Sequence, residues 1–289
     1  MDTKQITAIP LDDPLYPELL KHIPNPPPIL YVRGNWPIQM PCITIVGTRK
    51  PTPYGIECAK YFTNQLSRAG FCVISGLAFG IDAICHQTTI DANGRTIAVL
   101  GSGPDIITPT TNEQLGLHIL ESGGAIVSEF APKTKAQKYH FPQRDRIMSG
   151  LSLGTLVIEA AQRSGALITA RTATEQGREV FVVPGDIFSI TSKGTNTLIQ
   201  EGAKLVTGIT DILEELPGFH DKPDETQQKL FSNISEQEQT ILLCLNAPKT
   251  IDQISATTRL PPNTLPSLLT MMELKSMIKR RLDGTYQRE

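Results

Sequence analysis

Residues 138–150 of this 289-residue chain read KYHFPQRDRIMSG, gathering Lys138, His140, Phe141, Arg144 and Arg146 within one short stretch. Ammonium and guanidinium heads grip phosphate oxygens, and a benzyl ring stacks on a nucleobase; together they hold a nucleic-acid single strand. Residues 133–146 carry Lys133, Lys135, Lys138, Arg144 and Arg146 against one carboxylate, Asp145. The excess is local, because the whole chain has a net charge of −2 and so offers polyanions no global field. Pro142 stiffens the turn after Phe141 and would hold the ring out from the surface. A second reading stands beside this one, a solvated charge run with Phe141 as its hydrophobic anchor.

Glycine-bearing turns after apolar runs add anion chemistry. Gly47-Thr48-Arg49 follows ITIV, Gly76 follows FCVIS and leads into Gly80 and Asp82, and Gly101-Ser102-Gly103 follows TIAVL. Glycine lets backbone N–H groups approach an anion, and the start of the next helix contributes partial positive charge. Neither the GxGxxG fingerprint nor a Walker A lysine is present, so Arg49 is expected to supply a bidentate phosphate contact instead. Asp82 and His86, four apart on a helical pattern, read as a cap with a structural histidine rather than an acid–base or metal pair, since no third group can be placed nearby. Glu159 reads as a general base or as the partner of a rim arginine.

The rest of the sequence describes the scaffold these residues need. ITIVG (43–47), FCVISG (71–76), TIAVLG (96–101), AIVSE (125–129), TLVIEA (155–160) and EVFVVPG (179–185) are near-continuous apolar runs, the pattern of strands buried on both faces of a parallel sheet. Helical patterns at 53–69, 80–92, 111–122, 144–152 and 164–177 alternate with them. The expected class is α/β: an extended Rossmann-like, doubly wound, mostly parallel sheet. ILYVRG (29–34) reads as an additional edge strand. Ligands of such sheets collect beyond the carboxyl ends of the strands, which would set Arg49, Gly76 and the 138–146 stretch on one rim.

The expected organisation is an N-terminal segment (1–40) packing on the core, a Rossmann-like domain (41–216), a polar linker (217–235) and a small winged-helix domain (236–289). In the last, Ser235 and Glu238 form a capping-box pattern, two more amphipathic helices follow, and a hairpin turns on Asp283-Gly284. Residues 233–289 hold seven basic and six acidic side chains, and the recognition-like helix, 262–273, has no arginine or lysine to read guanine. Partner docking or weak duplex binding is therefore expected of it. At 39% hydrophobic and 19% charged, the chain has an ordinary globular composition. Its five cysteines lack CxxC spacing and read as reduced thiols, not metal ligands. Without a signal-peptide pattern or an apolar run of about 18 residues, a cytoplasmic, non-membrane protein is expected.

Taken in order, IVGTRKPTPYG, SGLAFGIDAICH, TIAVLGSGPDIITPTTNEQL, AIVSEF, FPQRDRIMSGLS, VIEAAQRSGALITARTATEQGREVFVVPG and GTNTLIQEGAKLV closely resemble the DNA-processing protein A family, also called Smf. The resemblance covers residues 43 to about 207. It implies a non-enzymatic Rossmann domain that binds single-stranded DNA and needs no nucleotide cofactor. It further implies protection of incoming strands during natural transformation, loading of a RecA-type recombinase, and homodimerisation through the Rossmann domain. Carried over, the family's DNA pocket falls on Gly47, Thr48, Arg49, Gly76, Lys138, Phe141 and Arg144; the charge pattern adds Arg146. Three positions depart from the family pattern. Asp145 stands where asparagine is usual, Phe79 replaces a frequent basic residue and offers another stacking face, and Thr108 replaces a common tyrosine. Two other functions compete: a Rossmann-type hydrolase of nucleotide N-glycosidic bonds using Glu159, and a transcription factor with a ligand-sensing α/β domain.

Overall fold

A computed structural model describes residues 5–216, 218, 235–245, 247–258, 260–261, 264–274, 277–281 and 284–288. It divides into two compact units, Met1–His220 and Asp221–Glu289. The expected linker lies almost wholly outside the described residues, as does Asp283 of the expected hairpin turn.

The first unit is built on nine strands. Seven run parallel: β3 (Cys42–Val46), β4 (Cys72–Ser75), β5 (Thr96–Val99), β6 (Ala125–Ser128), β7 (Gly154–Val157), β8 (Glu179–Val182) and β9 (Lys204–Leu205). Ahead of them β1 (Ile6–Pro10) and β2 (Ile29–Gly34) pair antiparallel, giving the order β1-β2-β6-β5-β4-β3-β7-β8-β9. Segment 29–34 is therefore not the edge strand that its sequence suggests. ITAIP, with only Ile9 fully buried, pairs along its outer side and takes the edge.

Helices cover both faces. On one lie α2 (Pro53–Arg68), α3 (Ile81–Asp91), α4 (Glu113–Glu121) and α8 (Ile209–Leu213); on the other lie α5 (His140–Gly150), α6 (Ala166–Glu175) and α7 (Lys193–Gln200), with the short α1 (Glu18–Lys21) against α5. The strand pleat divides the core: Ile43, Ile45 and Val73 face Phe62, Leu66 and Ile81, whereas Val46, Ile74 and Val157 face Ile147, Ala170 and Leu198. Every residue of β3 to β7 is buried, which is why their sequences read as unbroken apolar runs. Most of the polar exceptions are satisfied within the sheet or just beside it, Thr155 Oγ1 of β7 being the one left without a partner among the described residues. Thr44 Oγ1 donates to Met148 O (2.8 Å), Ser75 Oγ to Ile45 O (2.7 Å) and Thr96 Oγ1 to Val73 O (2.7 Å).

The second unit has helices α9 (Glu236–Cys244), α10 (Ile251–Thr258) and α11 (Leu265–Leu274) and an antiparallel pair, β10 (Ile278–Arg280) with β11 (Tyr286–Arg288). Its own core joins Ile241, Ile254, Leu269, Met272 and Ile278. The capping box forms as its pattern requires: Ser235 Oγ accepts from Glu238 N and Ser235 N donates to Glu238 Oε2 (2.8 Å). No helix among the described residues is long and apolar enough to cross a membrane.

Candidate nucleic-acid interface

From β3 the chain winds one way through β4, β5 and β6, then crosses back to β7 on the other side of β3. At such a reversal the connecting loops diverge and leave a crevice beyond the strand ends. A groove of about 600 Å³ opens here, walled by Gly47 and Arg49 after β3, Ala78 and Asp82 after β4, Lys138 and Phe141 at the start of α5, and Arg163 and Ser164 before α6.

The wall after β3 depends on close backbone packing. A Cβ on Gly47 would lie 2.6 Å from Ile81 Cγ1, and one on Gly80, at φ +75°, would overlap the Thr48 carbonyl. That carbonyl accepts from Ile81 N at the start of α3 (3.2 Å), while Thr48 Oγ1 accepts from Lys50 N (3.2 Å). The loop is thereby fixed on two sides, with the Arg49 and Lys50 side chains left in solvent.

Phe141 lies in the first turn of α5, not in a loop, because Pro142 is tolerated where a helix needs no N–H donor. The basic loop thus ends at Tyr139, and the helix expected at 144–152 begins at His140. His140 is an anchor: its ring stacks on Phe130 at 3.8 Å between centroids and its Nδ1 lies 2.8 Å from Gly101 O. The half-buried Phe141 ring sits under the Arg49 guanidinium, 5.9 Å from Cζ to the ring centre, within cation–π range. Lys138 is exposed one turn earlier. Arg49, Lys138 and Phe141 therefore meet at one opening, and neither cation has a carboxylate partner among the described residues.

Other expected site residues have different surroundings. Gly76 is buried; its N–H donates to Asp82 Oδ2 (3.1 Å), and a Cβ there would overlap Arg144 Nη1. Arg144, 5% exposed, donates through Nη1 to Gly76 O (2.7 Å) and Val99 O (2.6 Å) and through Nε to Asp145 Oδ1 (3.0 Å). It floors the groove with its guanidinium bound into the protein. Arg146 lies outside the groove, paired with Glu129, and its carbonyl accepts from Gln176 Nε2. Of the eight expected contacts, five line the mouth or its packed wall, Gly76 and Arg144 lie beneath, and Arg146 lies elsewhere.

Electrostatics follow from this burial. Desolvation raises the Asp82 carboxyl above its ordinary range, against the opposing pull of Arg144 and two backbone N–H bonds. Asp145 is raised for the same reason, with Arg144 again opposing. So the acid that departs from the family pattern does not reach the phosphate track as a free charge; it is buried against Arg144. His86 is pushed down to about 3 by burial and stays neutral, with Nδ1 2.7 Å from Thr96 Oγ1. With Asp82 capping the Gly76–Ala78 turn, the pair is structural.

Among the described residues Glu159 forms no ion pair with an arginine. Its Oε1 accepts from Thr52 Oγ1 (2.7 Å) and Thr191 Oγ1 (3.0 Å), and its Oε2 accepts from Thr52 N (2.9 Å). At 2% exposure the carboxylate, accepting three hydrogen bonds, anchors the start of α2 and the loop before α7. Glu159→Gln keeps an acceptor for Thr52 N–H but sets an amide donor where two threonine hydroxyls now donate, so both must reverse. Stability should fall by about 1–3 kcal/mol, read as a lower urea midpoint with unchanged slope.

Arg163 is a groove residue that the charge pattern of 133–146 did not include. In the structure it stands exposed on the groove wall, just ahead of Ser164, whose Oγ accepts from Ala166 N (3.3 Å). A cation immediately before a helix start was the available signal.

The pattern of the DNA recombination-mediator protein A family matches residues 7–217. Over 214 residues the chain is 45% identical to the DNA processing protein DprA of Bacillus subtilis, covering 73% of this chain and 72% of that one. It is 43% identical over 226 residues to the protein Smf of Escherichia coli, covering 78% and 60%. The crystal structure of DprA from Streptococcus pneumoniae superposes with a TM-score of 0.70 at 38% identity, over 74% of this chain and 75% of that one. A Helicobacter pylori DNA processing protein A structure, described for its single-stranded DNA binding mode, superposes with a TM-score of 0.65 at 27% identity, over 72% and 94%. With the pleated core, the switch-point groove and this match across most of its length, the chain belongs to the DNA recombination-mediator protein A family.

Proposed function

We propose that this chain binds single-stranded DNA in the switch-point groove and acts, without catalysis, as a recombination mediator of natural transformation. The observation that carries the reading is the juxtaposition of two unpaired cations, Arg49 and Lys138, with the Phe141 ring at one opening. Phosphates run along the cations, and a base unstacked from its neighbours lies on the ring. A duplex keeps its bases stacked inside and cannot use the ring, so the preference for single strands has a physical origin. The single-stranded DNA binding of the Helicobacter pylori relative supports the same reading.

In this role the protein protects incoming strands and loads a RecA-type recombinase as a homodimer joined through the Rossmann domain. The C-terminal unit, read as a winged helix, serves partner docking. Fluorescence anisotropy with oligo-dT and duplex DNA at two salt concentrations tests the binding. Three phosphate-facing cations, Arg49, Lys138 and Arg163, predict a slope of log K against log salt near −2 for single strands. Equal affinity for duplex, or a slope near zero, rejects the groove as a single-strand site. Faster recombinase assembly on strands coated with a single-strand-binding protein tests the loading step.

A further inference from the structure

The turn between β4 and α3, residues 76–80, is held more firmly than a connection requires. Gly76 N and Ala78 N donate to Asp82 Oδ2 (3.1 and 3.3 Å), and the Leu77 and Ala78 carbonyls accept from Asn112 Nδ2 (2.9 and 3.2 Å). Leu77 is fully buried yet sits at φ +55°, a left-handed conformation that a side chain with a Cβ avoids. Such conformations persist only where the surroundings impose them, and they concentrate at functional turns.

The fixed turn presents Phe79, whose side chain is 46% exposed and has no ring partner among the described residues. Phe79 does not itself line the groove, but both its neighbours adjoin the groove's wall. Ala78 lines the groove, and the missing Cβ of Gly80 lets the turn rest on the backbone of Arg49, 2.8 Å from its Cα to where that Cβ would stand. Arg49 thus adjoins one aromatic ring through its guanidinium and the turn bearing a second through its backbone.

Resting on the reading of the groove as a single-strand site, we infer that Phe79 is a second base-stacking platform, taking an unpaired nucleobase beside the one on Phe141. The recognised chemistry is a nucleobase π-face of any identity, and the subsite lengthens the strand the protein holds. Phe79→Ala should weaken binding of a long oligo-dT by roughly 5- to 100-fold, the worth of one stacked base. The salt slope should not change, since no cation is lost. On an abasic strand of equal length the variant and the parent should bind alike. Phe79→Trp should restore affinity, and its indole emission should change on oligo-dT addition relative to the parent protein, whose only tryptophan is Trp36.

Equal binding of Phe79→Ala and parent to oligo-dT overturns the inference, as does an equal loss on the abasic strand. Failure of the parent itself to bind oligo-dT would instead reject the groove reading beneath it.

Discussion

Arg144→Met should destabilise the N-terminal unit by roughly 3–5 kcal/mol, the cost of removing one partner from a buried ion pair. The guanidinium lies among two backbone carbonyls and two carboxylates, and both it and Asp145 are almost sealed from water. Methionine fills similar space but leaves Asp145 and Asp82 without the charge that opposes their desolvation. The loss should depend on pH, and its sign is fixed. Both acids already have folded-state pKa values raised above their unfolded ones, so protonation favours the fold. Without Arg144 they rise further, and the variant gains stability as pH falls from neutral toward the carboxylate range. Urea unfolding should therefore show a larger deficit at pH 8 than at pH 5. A deficit that is constant, or that grows toward acid, would contradict the buried-triad account. Gly76→Ala should resemble it, because the new methyl overlaps Arg144 Nη1.

The second large effect concerns binding. Arg49→Ala combined with Lys138→Ala should lower oligo-dT affinity by about 100-fold or more, each charge-assisted contact being worth about 1.5–3 kcal/mol. Melting behaviour should be unchanged, since both side chains are exposed and neither forms an ion pair among the described residues. The salt slope should become shallower by about 1.4, two single-strand phosphate contacts having gone. Arg49→Lys should rescue poorly: an ammonium cannot offer the planar fork that both stacks on Phe141 and takes two phosphate oxygens. Undiminished affinity in the double variant would remove the groove from the DNA path. Loss of binding with a parallel loss of thermal stability would make the two residues structural.

These expectations separate residues that look alike in sequence. Arg144 and Arg146 are two positions apart on one helix, yet one floors the groove and the other pairs with Glu129 outside it. A rise of 100° per helical residue turns them to different faces, and no charge count along the chain can register that. Six of the seven parallel strands and their helices were foreseeable, because strands buried on both faces must be apolar throughout, whereas the two-residue β9 is half exposed. The outermost strand, Ile6–Pro10, was not: it buries one residue fully and draws its pairing from a strand 19 to 27 residues away.

By itself the sequence determined the α/β winding, the rim on which the cations gather, and the family to which the chain belongs. All are written in short-range patterns of apolar residues, glycines and charge. Only the tertiary structure decided which cations remain free. That choice turns on long-range partners: the Gly76 and Val99 carbonyls for Arg144, Glu129 for Arg146, and for Arg49 only the Phe141 ring, with no ion pair among the described residues. A guanidinium is expensive to bury and cheap to expose, so its role is set by what the fold brings within 3 Å of it.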